Sequence, residues 1–354
     1  MISRSITASN WQHVAVVYAN RNATFYRNGS SLTLNFNDQD TPLPPEVPAG
    51  QNPPDGAFID YYLKSAPQGD ITLIISDSQG NLIRKYSSAE PEPTKLKPEN
   101  VPEYWFAPPI VLPKNAGMNR FVWNLRYPHP ANLSYALFYE REKSVAFYGT
   151  EDAVPGVTPR FQPLGPQVVP GDYELSLTVN GQTYRQILHV VKDPRVHISQ
   201  YDYVAQFDLL RQVTAGMSAS YDAFGALAPV QHALADRLKS FQANAQAKDD
   251  VKVLGDFSRK FAAIEDGTFT SPGFGGVNSQ LTQILYAADT GDGQPSESVR
   301  ASVTQACQAI TKNFDAWRKF NADDVPALNT LLQKYKLAAL PAATLNAPAS
   351  VCGR

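Results

Sequence analysis

Five histidines, two cysteines and a scatter of carboxylates are the side chains with which this chain could do chemistry, and their spacing limits what each can do. His13, His129, His189, His197 and His232 fall in five separate stretches. None forms the His-Glu-x-x-His pattern that sets two imidazoles on one helix face for zinc. A Gly-x-Ser-x-Gly elbow and a Gly-x-x-x-x-Gly-Lys-Ser/Thr phosphate loop are likewise missing from the sequence. Glycoside hydrolysis needs two facing carboxylates, for which Asp60 and Glu174 are two among many choices, and only geometry can select a pair. The expectation is therefore no catalytic residue, no metal ligand set and no cofactor.

Two glycine-containing stretches mimic ligand loops. The run 273-GFGG-276 lies between helical patterns and follows no strand, so it reads as a connecting loop and not a phosphate cradle. The run 289-DTGDGQP-295, with Asp289, Gly291 and Asp292, lacks the Asp-x-Asp-x-Asp-Gly spacing and the twelfth-position glutamate of a calcium loop. It reads as a turn before a Ser296 helix cap. Cys307 and Cys352 are the only cysteines, and a single bridge and two free thiols are both compatible with that count. A bridge requires the tail beyond the last helix to fold back.

The aromatic group 104-YWF-106 with Trp123, Tyr127, Tyr135, Phe138 and Tyr139 is the one feature with a binding reading. Flat rings on loops stack on sugars or mark a partner surface, which makes Tyr104, Trp105, Tyr127 and Tyr135 the candidate ligand-binding residues and a glycan or a protein the candidate partner. Trp123 alternates with Phe121 and Leu125 and is expected in a core.

The elements that must position these residues follow from composition and period. A chain of 354 residues suggests two or three domains of about 100 to 200 residues each. Its 43% hydrophobic and 18% charged residues indicate packed globular units. Net charge is −2, which gives no long-range attraction to nucleic acid, and no run of about 18 apolar residues exists to span a bilayer. The start, MISRSITASNWQ, has no apolar signal-peptide core. Residues 11-WQHVAVVYANRNATFYRNGSSLTL-34 predict two strands about an Asn28-Gly29 turn. Pro42, Pro44, Pro45, Pro48, Pro53 and Pro54 make 38–56 a semi-rigid linker. Within 57–195 stretches with a period of two, separated by irregular pieces over 87–119 and after Tyr127, predict short antiparallel strands with no helix between them, an immunoglobulin or fibronectin-like β-sandwich. After Asp193-Pro194 the period becomes helical. Ser199 is placed as an N-cap, Pro229 kinks one long helix or opens a second, and the apolar stripes over 199–340 predict an antiparallel helical bundle, followed by a tail over 341–354.

Several separated stretches carry a resemblance. The strand pair over 11–34 resembles part of a laminin-G-like, concanavalin A-like jelly roll, so residues 1–37 are expected to be a truncated hairpin of that kind. The runs 42-PLPPEVPAGQNPPDGAFIDYYL-63, 117-GMNRFVWNLRYP-128, 170-PGDYELSLTVNGQTYRQILHVVKDPR-195, 294-QPSES-298 and 325-VPALNTLL-332 resemble the C-terminal region of large bacterial exported proteins. Those proteins carry sortilin-like, Asp-box (BNR) repeat β-propellers and are often labelled glycosyl hydrolases. In that family any sialidase-like catalytic cluster sits in the propellers, and the Asp-box pattern Ser-x-Asp-x-Gly-x-x-Trp is missing from this sequence. The stretch 70-DITLIISDSQGNLIRKY-86 is also similar to the small immunoglobulin-like unit of flagellar hook-capping proteins.

What the resemblance implies is a non-catalytic accessory or scaffold region that docks a domain or partner, in a secreted or periplasmic protein. A carbohydrate-binding module using the aromatic loops is the alternative, and a hydrolase with an unrecognised site is the third.

Overall fold

A computed structural model describes residues 56–89, 111–131, 133, 163–247, 250–268, 270–348 and 350–352, together with the backbone of four short strands near the start. Those strands are β1 (Gln12–Val14), β2 (Val17–Ala19), β3 (Asn22–Arg27) and β4 (Ser30–Asn35). β3 and β4 pair antiparallel with Arg27 opposite Ser30, which leaves the two-residue connection expected of Asn-Gly. The preceding stretch is two strands and not one, for β2 pairs with β3 while β1 runs beside β5. The described residues fall into two compact units. The first holds those up to His129, those from 163 to Phe207, and Asp289–Gln294; the second holds the remainder.

The first unit is antiparallel β. β5 (Ala57–Leu63) pairs with β8 (Gly117–Trp123), and a four-stranded sheet runs in the order β10 (Gln182–Val190), β9 (Gly171–Val179), β6 (Thr72–Asp77), β7 (Leu82–Ser87). Alternation explains which face each strand buries: Ile59, Tyr61, Phe121 and Trp123 from one sheet share a core with Leu73, Ile75, Leu175 and Leu188 from the other. Trp123 meets Tyr173 edge-on at 5.8 Å and Phe121 meets Tyr86 at 4.6 Å, pairs worth about 1 kcal/mol each beyond their burial. The β9–β10 turn carries Asn180 and Gly181 with φ of 48° and 79°, the left-handed pair that Asn-Gly supplies at least cost.

β8 stops at Trp123, two residues short of what the alternation suggests. Gly56 approaches the Trp123 carbonyl so closely that a Cβ there would lie 2.1 Å from its oxygen, and Leu125 turns to φ 59°. Leu125 therefore reaches the core from a turn and not from a strand.

The second unit is helical. α1 (Gln200–Ala243) runs unbroken past Pro229; α2 (Val251–Glu265), α3 (Phe274–Ala288), α4 (Glu297–Lys319) and α5 (Val325–Lys334) follow. A π-helical turn, Phe320–Asp324, joins α4 to α5 without a break in the helical run. Ser296 caps α4, its Oγ accepting from the Val299 N–H. At the head of α1, in the first unit, Ser199 Oγ accepts from the Asp202 N–H at 3.2 Å and the Asp202 carboxylate accepts from the Ser199 N–H at 2.9 Å, a reciprocal capping box.

Residues 274–276 of the GFGG run form the first turn of α3 and not a loop. Their glycines serve close packing: a Cβ on Gly273 would lie 2.6 Å from the Asp266 nitrogen, and one on Gly276 would lie 2.7 Å from the Asp266 oxygen.

One buried side chain ties the irregular segment 130–133 to this unit. Asn278 of α3 is fully buried; its Oδ1 accepts from the Leu133 N–H at 2.7 Å, and its Nδ2 donates to the Met217 carbonyl at 2.9 Å and toward the Ala131 carbonyl at 3.3 Å. Replacing Asn278 by Ala strands the Leu133 N–H away from water and should lower stability by about 3 kcal/mol. Urea or thermal unfolding of Asn278→Ala checks this; a loss below about 0.5 kcal/mol would show that water takes over the role of the amide.

Candidate functional site

The described residues place one dense polar cluster, in the first unit, where the segment after β8, the start of α1 and the Asp289–Gln294 loop come together. Local backbone geometry sets it up. Because Leu125 has positive φ, the strand alternation breaks there, so Leu125 is buried and the next residue, Arg126, also turns inward with only 15% of its side chain exposed. Residues 165–168 run alongside: the Val168 N–H donates to the Leu125 carbonyl at 2.8 Å and the Tyr127 N–H to the Pro166 carbonyl at 3.0 Å. Gly165 permits this approach, since a Cβ there would lie 2.2 Å from the carbonyl oxygens of Tyr127 and Pro128.

Arg126 Nη1 donates to Asp289 Oδ2 at 2.6 Å and to the Gly165 carbonyl at 2.9 Å. Tyr203 OH donates to Asp292 Oδ2 at 3.1 Å. Gln206 Nε2 donates to the Gly291 carbonyl at 2.8 Å, and its Oε1 accepts from the Gly293 N–H at 3.4 Å. Tyr203 and Gln206 sit three residues apart, on one face of the first turns of α1, so the helix presents both to the same loop. Nearby, the buried Asp193 carboxylate accepts from its own Arg195, through the backbone N–H at 2.8 Å and through Nε at 3.0 Å.

Burial dominates the electrostatics. It pushes the Asp289 carboxyl above the ordinary aspartate range against the opposing pull of Arg126. Asp292 moves the same way, first through burial and then through the negative charges of Asp289 and Asp193, with the Tyr203 hydroxyl and Arg126 opposing. Burial raises the Tyr203 phenol as well, helped by Asp292. Asp193 moves down, because Arg195 hydrogen-bonds its charged form. His129, exposed at the edge of the cluster, donates from Nδ1 to the Pro163 carbonyl at 3.0 Å. The arrangement can store a proton on a carboxylate and clamp a loop; each of its named groups spends a hydrogen bond on another part of the same unit.

Tyr127, one of the four candidate ligand-binding residues, is half-buried with its ring 5.4 Å from that of Phe207. Tyr104, Trp105 and Tyr135 lie outside the described residues. Trp123 is fully buried. Asp60 and Glu174 do not converge: they belong to strands of different sheets, Asp60 buried on β5 and Glu174 partly exposed on β9. Asp60 takes a two-pronged bond from Arg120 Nε and Nη2, both at 2.7 Å, and Glu174 pairs with Arg185 at 3.2 Å. The described histidines stay on separate elements, with His189 donating to Asp172 at 2.6 Å. Among the described residues no group of three or more His, Cys, Asp or Glu is arranged to hold a metal ion, and no helix is long and apolar enough to cross a membrane.

Arg126, Tyr203 and Gln206 carry no sequence signal for this role. Arg126 stands where the alternation points outward, and Tyr203 fits the helix stripe. The DTGDG turn was the one visible mark of the cluster. Comparison of the chain with protein-family models, with curated proteins and with solved structures returns no match in any of the three.

The raised Asp292 has a definite sign. A carboxyl whose folded value lies above its unfolded value contributes stability that is complete below the unfolded value, near 3.8, and is lost as pH rises through the higher folded one. Asp292→Asn keeps an acceptor oxygen for Tyr203 and removes the titration. As the pH falls from 7 toward the ordinary value near 3.8, the unmodified protein should therefore gain stability relative to Asp292→Asn in urea unfolding; an unchanged difference over that whole range, or a relative loss, contradicts the assignment.

Proposed function

We propose that this chain is a non-catalytic accessory region of an exported β-propeller protein of the kind labelled glycosyl hydrolase, serving to dock a neighbouring domain or partner. The observation that carries this reading is the internal commitment of the polar cluster: Arg126, Asp289, Asp292, Tyr203 and Gln206 bond within their own unit, as structural ties do. In the same reading the β unit is an immunoglobulin-like sandwich. Support comes from the single core shared by its two sheets and from Tyr173, at the start of β9, whose hydroxyl donates back to the Val169 carbonyl at 2.5 Å in the manner of a tyrosine corner. The helical unit is an antiparallel bundle, a reading supported by the common core of its helices.

An extracytoplasmic location is part of the proposal. The Cys307–Cys352 bridge favours it, because such bridges persist where the surroundings are oxidising. The order of the motifs, strands first and helices after, agrees with the family resemblance.

Purified protein should turn over no chromogenic glycoside, peptide or ester above the buffer rate. Turnover that disappears on a single carboxylate substitution would overturn the proposal. Specific signals on a glycan array would instead favour the carbohydrate-binding reading through Tyr104, Trp105, Tyr127 and Tyr135.

A further inference from the structure

The helical run ends at Lys334, and residues 337–348 and 350–352 contain neither helix nor strand. They nonetheless lie on the helical core, with Leu340 and Cys352 buried and Leu337, Ala343, Leu345 and Val351 packed against it. Polar ties hold the first part of this strap. The Leu337 N–H donates to the Leu332 carbonyl at 2.9 Å, Arg237 Nε of α1 donates to the Ala338 carbonyl at 3.0 Å, and Asn329 Oδ1 of α5 accepts from the Leu340 N–H at 2.9 Å. The far end is fastened covalently, by a disulfide from Cys352 to Cys307 of α4 with the Cα atoms 6.0 Å apart.

Gly216 lies inside α1, where glycine is unfavourable for a helix. A Cβ on it would stand 3.1 Å from Cys352 Sγ, 2.9 Å from Leu281 Cδ1 and 3.4 Å from Ile310 Cδ1. The glycine thus opens a notch in α1, with α3 and α4 side chains around it, into which the sulfur of the strap fits.

We propose that the Cys307–Cys352 bridge is a redox latch: closed, it holds 341–348 and 350–352 on the helices, and opened by a thiol reductant it releases them and uncovers the Gly216 notch, while the strap up to Leu340 stays in place. Opening is a thiol–disulfide exchange with a dithiol. One reductant thiolate attacks a bridge sulfur, the S–S bond breaks and a mixed disulfide forms. The second reductant thiol then displaces the remaining protein sulfur. Cys307 and Cys352 end as thiols and the dithiol as its disulfide, the reductant supplying both electrons and both protons. Cys307 is part-exposed and Cys352 buried, so the bridge is the more open on its Cys307 side. The latch makes completion of the helical unit conditional on an oxidising compartment, and it does so whether or not the chain belongs to a propeller protein.

Limited proteolysis of the full chain with a non-specific protease, started from the oxidised protein with and without dithiothreitol, tests the proposal without relying on a variant to fold. Reduction should speed cleavage within 341–352 at least tenfold and leave α1, α4 and α5 uncut. Cys352→Ser should behave as the reduced protein does. Unchanged cleavage of the strap after verified reduction would overturn the proposal, since packing alone would then hold it. Cleavage in the helices together with the strap would overturn it too, for the bridge would then be a staple of the whole unit.

Discussion

A polar group taken out of water must find a partner inside the protein, and both units of this chain are organised by that requirement. In the first unit the guanidinium of Arg126 is turned inward by the left-handed Leu125 and is met by Asp289 and the Gly165 carbonyl. In the second, Asn278 is fully buried and meets Leu133, Met217 and Ala131. Each side chain reaches out from, or beside, a regular element to an irregular segment. Apolar cores hold strands to strands and helices to helices without directional demands. Bonds of this polar kind decide where the connecting segments lie, because a misplaced loop would leave a buried donor or charge alone.

This division of labour bears on function. Raised carboxyls in a cluster are a common mark of acid–base chemistry, and Asp289 and Asp292 qualify by that criterion alone. Structural ion-pair networks shift carboxyls in the same way, and here the partners are internal: an arginine after β8, and a tyrosine and a glutamine at the head of α1, all holding the same loop. That commitment supports the proposed accessory role. It also fits Asp60 and Asp193, which Arg120 and Arg195 engage within their own unit.

Much of the architecture was legible from period and punctuation. Asn180-Gly181 marks its turn, the alternation of Tyr173, Leu175 and Leu177 marks the buried face of β9, and Ser199 and Ser296 cap the helices that the apolar stripes predict. What escaped depends on contacts remote in sequence. β8 ends at Trp123, whose carbonyl lies against Gly56, 67 residues earlier, a contact that alternation alone does not show. The GFGG run enters α3 because its glycines let that helix approach Asp266, a packing need with no local signature. The Cys307–Cys352 bridge stayed open in the sequence because a tail without periodicity gives no clue to where it folds back. Of the polar cluster only the DTGDG turn was visible; its partners Arg126, Tyr203 and Gln206 look like ordinary strand and helix residues until the chain is folded.

On this reading the Arg126–Asp289 pair exists to hold the fold together. A double-mutant cycle on unfolding free energy, with Arg126→Met, Asp289→Leu and the combined variant, tests it most directly. Each single change leaves the other charge buried and unpaired and should cost about 3–5 kcal/mol, while the combined variant should recover most of that loss. Single variants as stable as the unmodified protein would contradict the account, and would mean that the two residues are kept for something other than folding.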